Sequence, residues 1–122
     1  MPSDDPIQRF QDILDNIACI EEFTAGMDLD AFSRNNQALY AVKHAMLIIS
    51  EAAKKLGGIA EDLCPHIPWP QVRAIGNHLR HGYDRVDVIR IWLVTQNEIL
   101  PLKAAVDGAL KRLWELEDGH LT

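Results

Sequence analysis

The chain has 122 residues, nearly half of them apolar, which suits one folded domain spanning 1–122 and leaves little room for a second. It carries 12 Lys and Arg against 18 Asp and Glu, a net charge of −6 that argues against broad electrostatic capture of DNA or RNA. No apolar run reaches the roughly 18 residues of a membrane helix, and the acidic start Met1-Pro2-Ser3-Asp4-Asp5 lacks the features of a signal peptide, so the expected location is the cytoplasm.

Ser3, Asp4, Asp5 and Pro6 form a helix start, with a capping side chain, a proline for the first turn and acids at the positive dipole end. Apolar residues then recur at Ile7, Phe10, Ile13, Leu14, Ile17, Ile20 and Phe23, the spacing of one helix face. Thr24-Ala25-Gly26 ends this helix, and Asp28 to Arg34 reads as a loop with a short helical turn. A second helix runs from Asn36 to Leu56, with Leu39, Val42, Ala45, Met46, Ile49, Ala52, Ala53 and Leu56 on its stripe and Gly57-Gly58 as its stop. Glu51 lies beside that stripe, where a glutamate faces solvent or pairs with a cation.

Asp62 to Pro70 is a turn region with three prolines, and Trp69-Pro70 opens a third helix carrying Val72, Ile75 and Leu79 up to Gly82. Val86-Asp87 begins a fourth, and Pro101 marks a break near Asn97 to Leu100. The fifth carries Leu102, Ala105, Val106, Leu110, Leu113 and Trp114. No strand-period alternation appears, so the fold class is all-α, a bundle of four or five helices. Apolar runs such as Met46-Leu47-Ile48-Ile49 cover more than one helix face and suggest a buried helix or a homodimer interface. Cys19 and Cys64 stand apart on apolar stretches and read as two reduced, buried thiols.

The densest patch of reactive side chains is Arg73 to Tyr83. On a helix, residues three or four apart share a face, so Arg73, Asn77, Arg80 and His81 form one polar strip opposite Val72, Ile75 and Leu79. His81 falls in the last turn, where the dipole favours the imidazolium. This inventory suits phosphodiester chemistry: histidine exchanges a proton, arginine neutralises phosphate charge, and Asn77 orients either. RNA brings its own nucleophile, the 2′-hydroxyl, so no metal or cofactor is required. His78 and His81 are three apart but have no third ligand, so no metal site is expected. The same residues also fit a plain polar helix face.

Ile67-Pro68-Trp69, then Gly76-Asn77-His78-Leu79-Arg80-His81-Gly82-Tyr83, Val86-Asp87, Trp92 and Leu100-Pro101-Leu102 together resemble the HepT-like branch of the HEPN superfamily, as does Ser50-Glu51-Ala52-Ala53 in the second helix. The resemblance covers nearly the whole chain. It implies a HEPN-like up-and-down bundle of four or five helices that dimerises. It also implies an endoribonuclease toxin that cuts RNA at a dimer cleft through an Arg-x(4–6)-His motif. The implied partner is an MntA-type nucleotidyltransferase antitoxin, acting by complex formation or by attaching AMP to the tyrosine of a His-x-Tyr element. Carried over by position, His81 is catalytic, Tyr83 is the modifiable tyrosine and Asn77 follows the family arginine. At that arginine's own position stands Gly76, which leaves Arg73 and Arg80 as substitutes. The competing expectation is a catalytically degenerate HEPN domain that binds a nucleotidyltransferase or a nucleotide, or serves as a scaffold dimer.

Overall fold

A computed structural model describes the backbone of residues 5–81 and 85–121 and the side chains of 5–79 and 88–117. In chain order the helices are α1 (Pro6–Thr24), α2 (Leu29–Arg34), α3 (Asn36–Leu56), α4 (Gly58–Leu63), α5 (Trp69–His81), α6 (Arg85–Asn97) and α7 (Ile99–Leu121), with no strand among the described residues. The five long helices are those expected from periodicity. The short α2 is the helical turn expected between Asp28 and Arg34, and α4 is an addition, six residues and too brief to show a period.

Each start has a local cause. The Asp5 carboxylate caps α1 by accepting from the Ile7 N–H at 3.0 Å, with Pro6 in the first turn. Asp28 and Asn35 cap α2 and α3 in the same way, accepting from Ala31 and Ala38. At the end of α3, Gly57 adopts φ 55°, a left-handed conformation that costs a residue with a Cβ, and its N–H returns to the Lys54 carbonyl. Pro101 falls in the first turn of α7, where its missing N–H matters least; α6 and α7 meet at Glu98.

Helix α3 is the centre of the bundle. It packs against α1 on one side and α5 on the other, and α7 covers α1. Phe10, Ile13, Ile17 and Ile20 of α1 meet Val42, Met46, Ile49 and Ala53 of α3 in the core, which also takes Trp69, Val106 and Leu110. The ring of Phe32 in α2 lies 5.3 Å from that of Trp92 in α6, tilted by 38°, and joins those two helices. Cys64 is buried, its Sγ donating to the Ala105 carbonyl, and burial raises its thiol pKa. The other thiol departs from expectation: Cys19 is exposed, because it lies off the stripe defined by Ile13, Ile17 and Ile20. Phe23 and Trp114 also lie outside the core. No helix among the described residues is long and apolar enough to cross a membrane.

Candidate active site

The polar strip belongs to α5, so its placement follows from how α5 is seated. Its N-terminus is pinned by Trp69, which is fully buried and donates from Nε1 to the Cys64 carbonyl at 2.9 Å. The Pro68 carbonyl accepts from Gln71 and Val72 and completes the entry turn. Val72 and Leu79 face inward, whereas Asn77 and His78 are exposed. Arg80 and His81 close the last described turn of the helix, and Tyr83 lies outside the described residues.

Along its middle, α5 touches α3 through Ser50. This serine is completely buried, donates to the Arg73 carbonyl at 2.7 Å and stands 3.3 Å from the Gly76 N–H. A Cβ built at Gly76 would fall 2.9 Å from the Ser50 Oγ and 3.7 Å from the Leu47 side chain. The position where the resembled family carries arginine therefore faces a buried helix contact here, with no space for a side chain. Gly76→Ala is expected to destabilise the fold by about 1–3 kcal/mol, because Ser50 is held from both sides and has nowhere to retreat. Urea unfolding of the purified variant measures this; an unchanged midpoint would show that the two helices separate freely.

Spacing alone puts Arg73 on the strip beside Asn77, but the side chain turns the other way. Its Nε donates to the Ala53 carbonyl at 3.2 Å and one Nη to the Gly57 carbonyl at 2.8 Å. Both Nη atoms grip the Glu61 carboxylate, at 2.9 and 2.6 Å. Arg73 thus ties together the end of α3, the start of α4 and α5, and does not lean across Gly76. The hydrogen bonds from Arg73 lower the Glu61 pKa, and Glu61 in turn raises that of Arg73.

A pH dependence follows from the lowered Glu61. The carboxylate stabilises the fold at neutral pH, and that contribution disappears as pH falls through its lowered pKa. Glu61→Gln is therefore expected to unfold more easily than the parent at neutral pH and to converge on it in acid. Thermal melts across that range test the sign; a gap that widens in acid would contradict it.

Helical spacing on α5 points to neither Ser50 nor Glu61. Ser50 carried a usable signal, a hydroxyl on the buried arc of α3 in line with Met46 and Ala53, which needs a partner. Glu61 carried none. The metal question is narrow: among the described residues no three His, Cys, Asp or Glu side chains are arranged to hold an ion. An apolar cavity of about 230 Å³ lies between α3, α5 and the α6–α7 junction, reached by Met46, Ile49, Val72 and Ile75, on the face of α5 away from Asn77.

Residues 13–108, from within α1 to within α7, match the model of the family described as ribonuclease HepT-like. The chain belongs to this family. Two proteins of Methanocaldococcus jannaschii that carry the name "Putative RNase" are similar to this HepT-like chain. One is 32% identical over 115 residues, 94% of this chain and 99% of that protein, and the other 31% identical over 121 residues, 99% and 100%. A "Probable ribonuclease HepT" of Thermococcus cleftensis is 34% identical over 101 residues, covering 83% of this chain and 92% of that protein. No solved structure matches the chain. Family membership supports a ribonuclease function, and the all-helical bundle agrees with it.

Proposed function

We propose that this HepT-like chain is a metal-independent endoribonuclease whose catalytic residues are His81, Arg80 and Asn77. The observation that carries the reading is the match of residues 13–108 to a ribonuclease family, a span that contains all of α5. In the proposed reaction the 2′-oxygen of RNA attacks the adjacent phosphorus and the 5′-oxygen leaves. His81 takes the proton from the 2′-hydroxyl or delivers one to the departing oxygen. Arg80 neutralises charge on the phosphoryl oxygens, and Asn77 holds one of them by a hydrogen bond. Between the two candidate arginines, the four hydrogen bonds that bind Arg73 to Ala53, Gly57 and Glu61 favour Arg80.

The reading extends to a toxin of a HEPN/MNT pair, working at a dimer cleft. Its antitoxin is an MntA-type nucleotidyltransferase that binds it or places AMP on Tyr83. The test is purified protein, free of AMP on Tyr83, incubated with RNA in excess chelator. Products ending in a 2′,3′-cyclic phosphate, together with growth arrest on expression, are expected. RNA left intact and cells that grow normally would defeat the reading.

One observation favours a second reading. Gly76 stands where the family arginine belongs, sealed against Ser50, as in a domain that has lost catalysis and kept its partner. That version predicts a tight complex with the nucleotidyltransferase and no consequence of His81→Ala in cells.

A further inference from the structure

The positive charge of this acidic chain is concentrated on two helices that pack together. Helix α3 carries Lys43, Lys54 and Lys55 against Glu51 alone, and α5 carries Arg73 and Arg80 with no acid. The charge of Arg73 is met by Glu61, so with that pair set aside the two helices are +3 within a chain of −6, and the remainder is −9. They run antiparallel: Ala53 and Ser50 meet Arg73, while Ser50 and Leu47 lie at Gly76.

The outer face of α3 adjoins the polar strip of α5. Tyr40, the pair Lys43 and His44, Leu47, Glu51 and Lys54 recur at three- and four-residue spacing and share that face. Leu47 forms the seam, since it is the α3 side chain that lies beside Gly76 outside the buried Ser50. From this seam, seven residues back along α3 lead to Tyr40, about 10 Å away, and five residues forward along α5 lead to His81, about 7.5 Å away in the same direction. Tyr40 is thus level with the end of α5. It is 68% exposed, a large aromatic ring standing in solvent on a basic helix.

We propose that the outer face of α3, from Tyr40 to Lys55, is a track for single-stranded RNA, with Tyr40 stacking on a base next to the phosphate cut at His81. This rests on the ribonuclease reading. The occupant follows from the chemistry: exposed lysines at one end of a helix face hold a phosphate backbone, and an exposed ring at the other end accepts any base by its π-face. Lys54 stands at the far end of the track, 3.7 Å from Glu51, and Lys55 is exposed beside it.

The test uses full-length His81→Ala protein, so that nothing is cut, and a short fluorescein-labelled single-stranded RNA read by anisotropy. Tyr40→Ala is expected to weaken binding about ten-fold, and Tyr40→Trp to preserve it. Replacing Lys54 and Lys55 with alanine is expected to flatten the salt dependence by roughly 0.7 in log–log slope for each phosphate that is no longer neutralised. The track is overturned if the His81→Ala protein binds no RNA, or if these variants bind as their parent does. It is equally overturned if Tyr40→Ala leaves RNA affinity alone and changes the sedimenting mass, which assigns the face to a protein contact. Its failure is distinct from that of the ribonuclease reading: RNA bound through Tyr40 but never cut removes only the catalysis, whereas RNA cut and bound regardless of Tyr40, Lys54 and Lys55 removes only the track.

Discussion

His81→Ala is expected to slow RNA cleavage by about a hundred- to ten-thousand-fold, the range associated with removing a general acid–base group. Inventory and position both point to this residue. His81 ends α5 in the dipole's negative turn, beside Arg80 in sequence and one turn beyond Asn77. Arg80→Ala is expected to cost about a hundred- to a thousand-fold in kcat, since a charge that meets the transition state acts on the chemical step. Arg73→Lys separates the two arginines. Lysine cannot reproduce the fork that grips Glu61 while also reaching two carbonyls, so the fold should weaken by about 1–3 kcal/mol while each folded molecule cuts at the parent rate. Single-turnover cleavage of a labelled RNA in chelator, corrected for folded fraction by circular dichroism, reads all three variants. Cleavage that survives in His81→Ala, or that vanishes in fully folded Arg73→Lys, would reassign the site.

Arg73 also shows where sequence reasoning stops. Helical spacing places it correctly in rotation about α5, within one turn of Asn77. But a long side chain at the boundary of a polar face can reach either way, and two of its acceptors are backbone carbonyls at the end of α3. Carbonyls are present at every residue, so nothing in the order of amino acids marks those two. The long helices were legible for the opposite reason: a stripe such as Phe10, Ile13, Ile17 and Ile20 repeats over several turns and has one physical solution. Helix α4 hid behind its own start signal, because Gly57-Gly58 ends α3 and opens α4 in the same two residues. Gly76 read as a gap in a motif; only the Ser50 hydroxyl beside it reveals a packing site. Tyr40 gives no sign in the sequence because exposure, not pattern, makes it unusual.

Trp69→Ala is expected to remove about 3–5 kcal/mol of stability, a large share of the roughly 5–15 kcal/mol typical of a domain. Trp69 is the largest fully buried side chain among the described residues and starts the helix that carries the proposed site. Truncation empties the space under the 64–68 turn and removes the Nε1–H bond to the Cys64 carbonyl. Trp69→Phe divides these contributions. The phenyl ring retains much of the apolar contact, and the Cys64 carbonyl still accepts from the Ile67 N–H at 3.3 Å, so the loss should be nearer to about 1–2 kcal/mol. Urea midpoints at constant slope measure both variants. Because Trp69 acts at the end of α5 remote from His81, folded Trp69→Phe molecules should cleave RNA as the parent does. If they fold fully and cut poorly, Trp69 sets the angle at which α5 presents His81, and the two ends of this helix are mechanically coupled.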